Sequence, residues 1–212
     1  MGEVDKLPGI HSEEQFAAWL KVYNRNVDKW EAMNVADSVE LAHYGVHNDG
    51  ETPGTDGWTF YLWNDIDCKD MKPDANGAFV KALTEGVTFD GKGYVLHNLM
   101  LDFEHIGPSS GLVGLIGEIR GGWLRNLHLD FVTVRNMDVD TPSGCIAGRI
   151  SSGQIFDCTV REAKMMCRGG VAGVLAGEMS GGDMAGCKFH GMVQAKEMQD
   201  ETALYGAKMM QP

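Results

Sequence analysis

The sequence predicts a mainly-β fold, a parallel solenoid closed at its start by an α-helix. Three observations predict it. Four stretches, "VLHNLMLDF", "WLRNLHLDF", "QIFDCTVRE" and "DMAGCKFHG", recur with Asn98, Asn126, Asp157 and Gly186 in one column, spaced 28, 31 and 29 residues apart. Glycine is abundant, at 28 of 212 residues, yet it sits among aliphatic residues rather than in a linker-like run. One early segment carries an unbroken helical apolar stripe.

That segment is "HSEEQFAAWLKVYN". Ser12 and Gln15 form a capping-box pattern. Phe16, Trp19, Leu20 and Tyr23 follow at helical spacing, a stripe suited to docking on a core. "VDKWEAM" predicts a weaker helical stretch. "SVELAHYGV" and "WTFYLWNDIDC" read as strands, joined through the turn-rich "HNDGETPGTDG". The chain divides into an N-terminal cap, residues 1–60, and repeats over residues 61–212, the last coil incomplete.

Within the repeats, three columns read as interior. The first is Leu96, Leu124, Ile155 and Met184. The second is Leu99, Leu127, Cys158 and Cys187. The third is Leu101, Leu129, Val160 and Phe189. The last two columns are two residues apart, the strand period. A second motif, "GLVG", "CIAG", "GVAG" and "ALYG", ends at Gly114, Gly148, Gly173 and Gly206. A short coil of small strands cannot bury its inner face alone, so it must stack on copies of itself. Its corners need tight or left-handed backbone, which glycine and asparagine supply.

"GLVGLIGEIRGGWLRNLHL", "CIAGRISSGQIFDCTV" and "GVAGVLAGEMSGGDMAGCKF" resemble successive GLUG-type repeats of right-handed parallel β-helices. "LWNDIDC" and "VTFDGKGYVLHNLML" resemble the opening region of such proteins, and "SEEQFAAWLKVYN" resembles their capping helix. The likeness spans most of residues 12–206. Cys145 and Gly186 depart from it, standing where a small or aliphatic residue and an Asn or Asp are usual. The resemblance implies a bacterial secreted or surface-anchored protein, a group that includes adhesins and parts of large proteases. It brings no catalytic residues and no cofactor.

The net charge of −12 argues against general nucleic-acid binding. No apolar run is long enough for a membrane span. The five cysteines, Cys68, Cys145, Cys158, Cys167 and Cys187, lack CxxC spacing and read as packed thiols rather than a zinc set or a disulfide framework. Cys158 and Cys187 share a column, in a geometry poor for a disulfide.

Other polar clusters are weak as chemistry. Asp65, Asp67 and Asp70 lack the glycine and distal glutamate of a calcium loop. "FDGKG" reads as a turn, since it lacks phosphate-loop spacing. Glu118, Arg120, Arg149 and Glu178 are the candidates for an enzyme site. The two carboxylates fall two coils apart, roughly 10 Å, and read as a solvated rim. His97 and His128 fall outside the inward columns and are expected to be exposed. Trp30, Trp58, Trp63 and Trp123 either cover the core or stack on sugars.

These readings predict a non-catalytic surface or secreted binding module whose ligand is a glycan or an extracellular protein. The alternative is a polysaccharide lyase or glycoside hydrolase on the same fold. Neither reading calls for a metal or cofactor. "ALYGAKMMQP" starts a further coil, so either the native chain continues or the end associates with a neighbour. The eight methionines from Met165 onward would suit such packing.

Overall fold

The computed structural model describes residues 7–49, 56–74, 77–103, 111–136, 140–167 and 171–193. Helix α1, Glu13–Asn26, starts where the capping pattern puts it. The Ser12 hydroxyl accepts from the Gln15 backbone N–H, while the Gln15 carboxamide oxygen accepts from the His11 N–H at 2.7 Å. The box therefore closes one residue earlier than Ser12. All four stripe residues are buried. The Trp19 ring lies 5.4 Å from Phe60 and 5.1 Å from Phe89, and the Tyr23 hydroxyl donates to the Ala82 carbonyl at 2.8 Å. The helix thus seals the first end of the tube, each buried ring contributing about 1.5–3 kcal/mol.

The stretch "VDKWEAM" holds only a 3-10 turn, Trp30–Ala32. "SVELAHYGV" departs from its expected strand. Helix α2, Val35–Leu41, takes its first half, and strand β1, Gly45–Asp49, begins only at Gly45. The reason is a local cap: the Asn34 side chain accepts from the Asp37 N–H at 2.9 Å. Arg25 and Asn26 of α1 then donate to the Asp37 carboxylate, which fixes the short helix in place.

β1 pairs antiparallel with β2, Asp56–Tyr61. Residues 50–55 of the turn-rich stretch lie outside the described residues. From β2 onward every described pairing is parallel. β2 and β3, Ile66–Asp67, open the tube. β4, Ala78–Thr84, β5, Thr88–Asp90, β6, Val95–His97, and β7, Met100–Phe103, form the next coil. β8, Gly114–Arg125, β9, His128–Asp130, and β10, Thr133–Asn136, follow. Then come β11, Ala147–Phe156, and β12, Thr159–Cys167. β13, Ala176–Met179, β14, Asp183–Ala185, and β15, Lys188–Val193, close the described chain. The result is a β-solenoid of roughly four turns.

The pairing corrects the register of the first repeat. Leu96 stacks with Leu129, Val160 and Phe189, and Leu101 with Val134 and Met165. The partner of Leu124 is instead Phe89, so the column runs Phe60, Phe89, Leu124, Ile155 and Met184. "VLHNLMLDF" therefore sits one strand further round the coil than "WLRNLHLDF". Leu99 consequently leaves the column of Leu127, Cys158 and Cys187. The Leu99 carbonyl accepts from Thr133 N–H and that of Val132 from Lys164 N–H, giving the column Leu99, Val132 and Ala163. Tyr94 heads the column of Leu127, Cys158 and Cys187 through the same kind of bond to His128.

Two corners share one local pattern from coil to coil, which makes their sequences alike. At the first corner Asn126, Asp157 and Gly186 have φ of 52°, 49° and 66°. At the second Asn98, Phe131 and Glu162 have φ of 57°, 56° and 48°. Each is a left-handed residue followed by a buried or half-buried small or apolar one. Gly186, the departure from the Asn/Asp column, thus makes the same turn as its neighbours.

Gly148 also changes column. It aligns with Gly117 and Gly177, because Arg149 pairs with Glu118 and Glu178. Gly114 and Gly173 belong with Gly144, next to the bridged residues Val113, Ser143 and Ala172. The Gly148 column is not a left-handed corner. A Cβ on Gly117, Gly148 or Gly177 would lie 2.7, 2.9 or 2.7 Å from the carbonyl oxygen of Lys81, Gly117 or Gly148 below. Glycine is required there because successive coils approach closely.

Candidate binding face

Strand alternation points the neighbours of each interior residue outward. Beside the Phe60–Met184 column this builds two outer columns. One runs Tyr61, Asp90, Arg125, Phe156 and Ala185; the other runs Thr59, Thr88, Trp123, Gln154 and Asp183. Trp123 is 45% exposed and meets the Phe156 ring edge-on at 6.4 Å. Arg125 stands beside Trp123 on the same face of β8, one rung from Phe156.

Arg125 is anchored from below. Its Nε–H donates to Asp90 Oδ2 at 3.0 Å. Asp90 Oδ1 accepts from the Lys92 backbone N–H at 2.9 Å and from the Asn126 carboxamide at 3.1 Å. The Lys92 ammonium lies 3.5 Å from the same carboxylate, and also over the Tyr61 ring at 4.7 Å and the Trp63 ring at 5.5 Å. Burial works to raise the Asp90 pKa. The hydrogen bonds from Lys92 and Asn126 and the charges of Arg125 and Lys92 outweigh it, so the group sits below the usual carboxylate range. "FDGKG" is thus a turn that wraps a buried carboxylate and holds two cations around it.

The arrangement is suited to holding an anion. Arg125 uses only its Nε–H on Asp90, and its side chain is 40% exposed. Its terminal nitrogens meet no protein partner among the described residues. A guanidinium held this way offers a planar fork to a carboxylate. The rings beside it offer apolar faces.

The enzyme candidates are engaged elsewhere. Ala82, Glu118, Arg149 and Glu178 form one outward column, so both carboxylates do share an edge, two rungs apart. Arg149 stands between them and donates to Glu178 at 2.8 Å, while Ser151 donates to Glu118 at 3.0 Å. Arg120 is paired with Asp28. Asp65 accepts from the Val95 N–H, and Asp67 from Asn98 and Lys69. Asp70 lines an open groove of about 600 Å³ against α1. Among the described residues no group of three potential ligands could hold a metal.

His97 and His128 are half-buried rather than exposed. His97 lies 3.8 Å from Asp130, and burial lowers the His128 pKa. Among the tryptophans, Trp58 is buried, Trp30 donates to Thr84, and Trp63 donates to the Pro8 carbonyl. All five thiols are free. Cys68, Cys145 and Cys158 are buried; Cys167 and Cys187 are half-buried. The neighbouring Cys158 thiol holds the Cys187 pKa below the usual thiol range, and the same neighbour relation pushes Cys158 up.

Sequence reasoning missed Asp90, Arg125, Gln154 and Phe156. The signal is local: each lies next to an interior residue on its own strand and so points outward, Asp90 beside Phe89, Arg125 beside Leu124, and Gln154 and Phe156 on either side of Ile155. The chain matches no family model, no curated protein and no solved structure. Among the described residues no helix is long and apolar enough to cross a membrane.

Proposed function

We propose that the chain is a non-catalytic binding module, displayed at the cell exterior, that holds its ligand on the outer face of the tube. One observation carries this reading. The face presents an exposed Trp123 and a half-buried Phe156 beside a buttressed Arg125, while Glu118 and Glu178 are already engaged by Ser151 and Arg149. The likeness of "CIAGRISSGQIFDCTV" to GLUG-type repeats of surface proteins supports the exterior placement. The same reading includes end-on association, with Met184, Cys187 and Phe189 of the last described coil only half-buried. Light scattering tests that part, and a strict monomer would remove it.

The main test is an array of glycans and extracellular matrix proteins probed with purified chain, with product analysis on every hit. The expected result is saturable binding with no product. Turnover of any polysaccharide would overturn the proposal.

A further inference from the structure

We infer that the face around Arg125 takes an acidic oligosaccharide lying along the tube axis. The inference rests on the binding-module reading and names its ligand class. A uronate carboxylate sits on the guanidinium fork of Arg125 while its own ring packs on Trp123 in the same rung, and the next sugar packs on Phe156 one rung on.

Four observations point to this occupant. First, Arg125 is preorganised: Asp90, itself buried, fixes the Nε side and leaves the terminal nitrogens outward. Second, Lys92 and Arg125 surround a single carboxylate, which leaves a local positive charge on a chain of net charge −12. That spot attracts a short acidic ligand, while the field of the whole chain rejects a long polyanion such as nucleic acid. Third, an exposed indole and a phenyl ring flank the cation, with Thr88 and Gln154 in register on either side of Trp123. Apolar ring faces bordered by hydrogen-bonding groups match the alternating CH and OH surfaces of a pyranose. Fourth, the coil rise of about 4.8 Å is close to the length of one sugar in an extended chain, so successive rungs meet successive residues. A peptide is disfavoured because these strands are internal to the sheet. Their backbone groups are already paired, and strand addition needs a free edge.

The test titrates the whole chain by calorimetry with trimers of galacturonate and of mannuronate. The fully methyl-esterified trimers and a triglutamate peptide serve as comparisons. At least one acid trimer is expected to bind, with its ester and the peptide each at least tenfold weaker. Raising the salt should weaken the acid but not remove it. Arg125→Gln is expected to abolish binding and Arg125→Lys to retain part of it. Trp123→Ala leaves the Asp90 cluster intact and is expected to cost at least tenfold. A thermal melt of each variant separates lost binding from lost fold. Equal affinity for acid and ester, equal binding of triglutamate, or binding indifferent to Trp123→Ala would overturn the inference. If neither acid trimer binds but the array yields another ligand, the inference falls and the module reading stands. If nothing binds in either experiment, both fall.

Discussion

The two left-handed corners of each coil differ in how they meet the same backbone demand. The first is built from Asn126, Asp157 and Gly186, all residue types that tolerate positive φ. The second is built from Asn98, Phe131 and Glu162, and only the asparagine is suited to it. Each corner also has an asparagine that donates to an aspartate on the preceding coil. Asn126 reaches Asp90, whose side chain is 3% exposed; Asn98 reaches Asp67, which is 42% exposed. The first corner is thus tied into a buried charge cluster, and the second rests on solvent-screened contacts. Left-handed geometry alone does not select the residue. Neighbouring coils must also impose the corner strongly enough to hold an ill-suited side chain there.

The largest effect expected from this contrast is at the aspartates. Asp90→Asn should cost on the order of 2 kcal/mol. That is less than for a fully buried pair, because Arg125 and Lys92 reach solvent. Asp67→Asn should leave the urea midpoint unchanged within error. Equal losses at both sites would mean that the corners are energetically alike.

Acid sharpens the same point. The Asp90 pKa is lowered in the folded state, so its contribution is complete above the ordinary carboxylate value of about 3.9. It is lost as pH falls through the lower folded value. Asp28 and Asp37 are lowered as well, held by Lys81 and by Asn26. All variants should therefore weaken in acid, but Asp90→Asn should weaken less than the parent between pH 7 and pH 3. Parallel urea titrations at the two pH values provide the check.

Glycine swaps should have opposite signs at the two corners. Phe131→Gly should stabilise by about 0.5–1 kcal/mol, since it relieves positive φ and gives up a ring that is 56% exposed. Asn126→Gly should cost about 1 kcal/mol through the lost bond to Asp90. Thermal melts of both should move in opposite directions. A loss in both would show that the Phe131 ring packs more than its exposure implies.

The smallest effect is on thiols and leaves the fold unchanged. Cys187 follows the last residue of the first corner, is half-buried and has its pKa held below the usual thiol range by the neighbouring Cys158. It should alkylate first near neutral pH. Burial pushes Cys68 and Cys145 up to about 12, so they should react only after unfolding. Mass mapping after brief iodoacetamide treatment reads the order.

Much of this was legible in the chain. The helix stripe, the strand period and the Asn126–Asp157–Gly186 spacing are local patterns, and each marks an element the structure contains. The register of the first repeat was not legible. "LHNLML" and "LRNLHL" obey the same rule while occupying different corners, and only cross-coil hydrogen bonds tell them apart. The strand expected across Ser38–Leu41 failed for a related reason: the Asn34 cap and the Arg25–Asp37 pair outweigh the local pattern.

The sequence by itself determined that the chain must stack, because its short strands bury nothing alone. It also marked the repeated aliphatic positions as interior, because period-two alternation is a property of the strand. Tertiary structure alone decided which strand meets which. It also decided that Asp90, Arg125, Trp123 and Phe156, drawn from three coils, share one outer face. Their neighbourhood is set by parallel pairing across about thirty residues, and no spacing within a single coil encodes that distance.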